Sequence, residues 1–77
     1  MIKLTEIKKV DNVVTSAAFV EDSKTPIALR YSISDDAFSS DSLPPGYEWC
    51  TAHISQARRF LKQNKDALPP ERTIMWY

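Results

Sequence analysis

Hydrophobic residues recur along this chain with two different periods. Over residues 2–10, Ile2, Leu4 and Ile7 stand among lysines in near-alternation, a β-branched pattern that predicts a strand. Asp11 and Asn12 follow, flanked by Val10 and Val13. Both tolerate left-handed backbone, so the pair predicts a two-residue hairpin turn. The second strand then covers residues 13–21, with Val14, Ala18 and Val20 on one face and Val13, Thr15, Ala17 and Phe19 on the other. Apolar residues on both faces predict the central, most covered strand of a meander.

Residues 22–25 read as the next turn, and Pro26, which cannot donate to a ladder, as the first residue of a third strand. There the alternation is clean: Ile27, Leu29, Tyr31 and Ile33 against Ala28, Arg30, Ser32 and Ser34. One face belongs to a core and the other to water.

Over residues 47–65 the period lengthens. Cys50, Ile54, Ala57 and Leu61 are spaced by four, three and four, which makes an apolar stripe on a helix. Trp49, His53 and Phe60 lie on one shoulder of the stripe. Arg58, Arg59, Lys62 and Lys65 lie on the other shoulder and the outer face. Pro44, Pro45 and Gly46 precede the helix, and Pro69 and Pro70 require it to have ended by Leu68. Residues 72–77 are β-prone and read as a fourth strand.

The predicted fold class is α+β, in the order β-β-β-α-β: a three-stranded antiparallel meander, one amphipathic helix on one face, and a short C-terminal fourth strand. A connection through the helix predicts that the third and fourth strands run parallel. The fourth is expected beside the first, where the helix covers most of the sheet.

Composition narrows the class. With 77 residues, 43% hydrophobic and 26% charged, the chain reads as one small globular domain over residues 1–77. The longest apolar run, Ala17 to Val20, is too short for a membrane span or a signal-peptide core. A lone cysteine, Cys50, closes no internal disulfide, which predicts a reducing, cytoplasmic setting.

Charge sums to zero but is unevenly placed. Residues 1–34 carry five basic and four acidic groups, residues 35–50 four acidic and no basic ones, and residues 51–77 five basic and two acidic ones. The segment 34–46 reads as a long loop with Asp35, Asp36 and Asp41, either a solvated connection whose Phe38 folds back on the core or an adaptable acidic contact loop with Phe38 as an apolar anchor for a protein partner. It lacks the alternating ligands, central glycine and closing glutamate of a calcium loop, so no metal is expected there. Arg58, Arg59, Lys62 and Lys65 in the later turns complement the helix dipole, and on a sharper reading they offer a cationic helix face to phosphate or to an acidic protein surface.

Cys50 and His53 are the one pair with ligand or catalytic chemistry. Without a third orienting group or an oxyanion donor, they predict core roles rather than an enzyme or a zinc site. Tyr47, Trp49, Trp76 and Tyr77 read as caps of a thin core. Should the last strand form a sheet edge, Trp76 and Tyr77 would flank a site for strand addition or a two-fold dimer.

The expected function is a small non-enzymatic protein-interaction module, an inhibitor, adaptor or accessory protein of microbial or phage type. Its binding residues would be Asp35, Asp36, Phe38, Asp41, Arg58, Arg59, Lys62 and Lys65. No cofactor, small-molecule substrate or membrane partner is expected. The partner would be another protein or a second copy in a homodimer. The alternatives are nucleic-acid binding by the basic helix face, with an aromatic stacking on bases, and a protein acting only as a homo-oligomer.

Overall fold

Local backbone chemistry sets the first hairpin. In the computed structural model, which describes residues 1–75, strands β1 (Ile2–Val10) and β2 (Val13–Val20) flank Asp11 and Asn12. These two have φ of 51° and 64°, the double left-handed turn whose twist matches paired strands. Next come β3 (Ile27–Ser32), β4 (Ala37–Ser40), the helix α1 (Thr51–Gln63) and β5 (Arg72–Ile74). They form one sheet of order β4-β3-β2-β1-β5, antiparallel throughout, with α1 packed across β1 and β3. The meander, the central place of β2, the helix on one face and the pairing of the last strand with the first are all as the sequence predicts.

Four points differ. Part of the expected loop 34–46 is strand: the chain turns at residues 33–36, with Asp36 at φ 49°, and returns as β4 along β3. That added reversal makes β5 antiparallel to β3, where a direct helical connection predicted parallel. The helix spans Thr51–Gln63 rather than 47–65. Before it, Tyr47 N bonds Pro44 O and Cys50 N bonds Tyr47 O in tighter three-residue turns, and after it Asn64 closes the last turn by donating Nδ2 to Phe60 O at 2.9 Å. Finally, β3 starts one residue after Pro26.

β1 contains the sheet's one irregularity. Its register with β2 advances from Thr5↔Ala17 to Lys8↔Thr15, three residues against two, so one residue of β1 is extra. Glu6, at φ 53°, absorbs it. The bulge rephases the strand so that Ile7 joins Ile2 and Leu4 on the helix side, all three buried. The Ser16 hydroxyl lies 3.0 Å from the Thr5 carbonyl and donates to it where the ladder is interrupted, and Ile7 N reaches Pro70 O.

The core fills one side of the sheet. Ile2, Leu4, Ile7, Val14, Ala18, Val20, Ile27, Leu29 and Tyr31 meet Cys50, Ala57 and Leu61 of the helical segment. His53, placed on a shoulder of the helix by sequence, is buried with them, while Ile54 of the stripe is only half-buried.

Candidate functional site

The acidic segment is folded into the β3–β4 hairpin. Tyr31, buried at its ring, donates its hydroxyl to Asp36 Oδ1 at 2.7 Å, and the Lys62 ammonium lies 3.2 Å from Asp36 Oδ2. The Tyr31 hydroxyl bond is the main cause that lowers the Asp36 carboxyl below its usual range, followed by Lys62. The same bond pushes the Tyr31 phenol up. Asp35 accepts a hydrogen bond from the Ser32 hydroxyl at 3.2 Å. Asp41 extends the ladder past β4: its N–H donates to Ala28 O, and its carboxylate accepts from Ala28 N, both at 3.0 Å. Phe38 stands opposite Tyr31 and packs half-buried on the core. The expected adaptable acidic loop is thus corrected to a hairpin whose carboxylates hydrogen-bond within the chain.

The cations of the helix are arranged differently. Arg58, Arg59 and Lys62 are exposed on α1, and Lys65 is half-buried just beyond its end, its carbonyl accepting from Lys9 Nζ at 3.3 Å. Ser55, Arg58, Arg59, Lys62, Gln63 and Lys65 line a shallow hollow of about 500 Å³. A second hollow adjoins it through the shared Arg59 and Gln63 and reaches Phe60 and Arg72, whose guanidinium sits 5.5 Å over the Phe60 ring. Among the described residues, no carboxylate lines either hollow. Of the eight predicted residues, the structure joins Asp36 to Lys62 across the hairpin and the helix. Asp35 and Asp41 form no ion pair among the described residues. Sequence reading missed Arg72, because only the return of β5 beside β1 brings it to the helix.

Cys50 and His53 occupy the opposite, N-terminal end of the helix. His53 Nε2 lies 2.9 Å from Glu21 Oε1, which also accepts from the Met1 amino group at 3.2 Å. Trp49, 64% exposed, meets the His53 ring edge-on at 5.5 Å and donates its indole N–H to Gly46 O. Tyr47 donates to Asp22 Oδ1 at 2.6 Å, which ties the approach to the helix to the β2–β3 turn. Burial, and then the Glu21 charge, push the Cys50 thiol up, away from the thiolate that nucleophilic or metal chemistry requires. Among the described residues, no three or more His, Cys, Asp or Glu are grouped to hold a metal, and no helix is long and apolar enough to cross a membrane. Trp76 and Tyr77, expected to flank an edge, lie outside the described residues. Compared with known proteins, the chain matches no family model, no curated protein and no solved structure.

Proposed function

We propose that this chain is a non-enzymatic protein-interaction module, an adaptor or inhibitor of the cytoplasm, that offers the outer face of α1 to an acidic surface on a partner protein. The observation that carries the reading is the pair of adjoining hollows over the helix, lined by Arg58, Arg59, Lys62, Lys65 and Arg72 with no carboxylate among the described residues. Among the described residues, Lys62 is the one of these cations held in an ion pair, with Asp36. Clustered cations on a rigid element steer an anionic partner and fix its orientation, more through association rate than through raw affinity. A protein is favoured over nucleic acid because the exposed indole of Trp49 sits at the far end of the helix, and the aromatic beside the cations, Phe60, is half-buried with its ring under the Arg72 guanidinium, where a base would have to stack. A single cysteine, Cys50, which closes no disulfide within the chain, supports a reducing compartment.

The test is fluorescence anisotropy at low salt, with a glutamate-rich peptide and a single-stranded oligonucleotide as competing probes. The peptide should bind more tightly, weaken steeply as salt rises, and lose about tenfold or more in affinity in the Arg58→Glu/Arg59→Glu protein. Tighter oligonucleotide binding would transfer the surface to nucleic acid. Indifference of the peptide to the double substitution would remove the surface altogether.

A further inference from the structure

The sheet has a second feature suited to recognition, at the opposite end from β5. Asp41 N donates to Ala28 O, and Ile33 N to Asn12 O, which sets the phase of both ladders of β3. Ala28, Arg30 and Ser32 turn their backbone groups toward β4, where Ser39 and Ala37 stand opposite Arg30 and Ser32. Phe38 and Ser40 therefore direct their N–H and C=O groups away from the sheet, along an edge that no other strand covers among the described residues. β4 reads Ala-Phe-Ser-Ser and carries neither the lysine nor the proline that commonly blocks such an edge. Its charges lie just outside the pairing stretch, Asp35 and Asp36 before it and Asp41 after it, all exposed.

That placement selects the occupant. Antiparallel pairing must set outward residues against outward residues, so a second copy would bring Phe38 opposite either Ser40 or Phe38 of the other chain, and both registers set Asp41 of each chain beside Asp35 and Asp36 of the other. Six carboxylates would then converge, and of them Asp36 of each copy is paired with Lys62 while Asp35 and Asp41 have no ion pair among the described residues, which disfavours self-pairing. An extended segment with a Lys or Arg at each end of a short β-stretch meets the same six-residue frame with opposite charges. Its backbone would take up the groups of Phe38 and Ser40. We propose that the β4 edge is a strand-addition site for an extended, basic-ended segment of a partner protein, separate from the helix surface.

The probes are fluorescein-labelled heptapeptides of alternating Val and Thr, one with lysine at both ends and one with glutamate, added to the full chain. The lysine-ended peptide should bind at least about tenfold more tightly than the glutamate-ended one. N-methylation of its alternate residues should lower affinity by a similar factor, since that removes the pairing N–H groups and leaves charge untouched. Ser40→Pro, which deletes an N–H that β3 does not use, should do the same. Arg59→Glu should leave this binding unchanged, which separates it from the helix surface. Equal affinity for the two end charges, equal affinity after N-methylation, no binding of the lysine-ended peptide at about millimolar concentration, or a free protein that is dimeric through this edge would each overturn the proposal. If Ser40→Pro fails to fold, the N-methylated peptide decides the matter alone.

Discussion

The two faces of the sheet are built from the same strands and differ in what lies over them. On the helix side, Leu4, Val14, Leu29 and Tyr31 are at most 1% exposed. On the other side, Val13, Ala17 and Phe19 of β2 are half-buried, and Ala28 and Arg30 of β3 are exposed. Apolar character in β2 is similar on both faces, so the residue types themselves do not say which face is core. Position under α1 does. The sheet's hydrophobic stabilisation therefore comes mainly from one face, while the other contributes through pairing between neighbouring strands.

The contrast breaks most sharply in truncations. Leu29→Ala should cost about 2–5 kcal/mol, because it leaves a cavity under the helix. Phe19→Ala, on the open face, should cost no more than about 1 kcal/mol. Chemical unfolding of both variants reads the difference, and equal losses would mean that something also covers the open face.

Next in size are the changes at the bulge, where the two faces are held in phase. Ser16→Ala removes the hydroxyl that satisfies the Thr5 carbonyl and should cost about 1 kcal/mol in chemical unfolding. Glu6→Gly acts in the other direction. It relieves a left-handed glutamate and should stabilise the fold by about 0.5–1 kcal/mol, visible as a raised melting temperature. A fall in melting temperature would show that the Glu6 side chain contributes more than its backbone strain costs.

The smallest effect concerns pH at the hairpin. The folded-state Asp36 carboxyl is lowered, by the Tyr31 hydroxyl first and Lys62 second, so its contribution is complete above the ordinary carboxylate range. It is lost as pH falls below that range. Tyr31 is raised, chiefly by the same bond to Asp36, so its contribution is complete below the ordinary tyrosine range and is lost as pH climbs through the raised value. Thermal melts should fall on the acid side with Asp36 and on the alkaline side with the Cys50 thiol, also raised, and then Tyr31. Asp36→Asn should melt lower at neutral pH and respond less to acid, and an acid limb unchanged by the substitution would show that other carboxylates dominate it.

The places where sequence reading stopped have physical reasons. The bulge was visible as a break in alternation, since Ile7 follows Leu4 by three residues instead of two. β4 offers one large apolar residue among serines and no alternation, and it exists because the free edge of β3 gives its backbone somewhere to pair. Its turn did carry a signal, Asp35 and Asp36 between Ile33 and Phe38, similar in kind to Asp11 and Asn12. Of the candidate site, the cations on the helix follow from spacing alone. The attachment of Asp36 to Tyr31 and Lys62, and the approach of Arg72 to Phe60, join residues far apart in the chain.

Neighbouring residues were enough to specify the Asp11–Asn12 turn, the alternation of β3, the amphipathic helix and its termination before Pro69, because each depends on interactions within a few positions. Assembly of the whole chain was needed to choose the buried face of β2, to form β4, to bring β5 beside β1 and to engage Asp36 while Arg58 and Arg59 stay at the surface. Those outcomes rest on burial and pairing between distant segments, and a one-dimensional pattern carries no record of which segments meet.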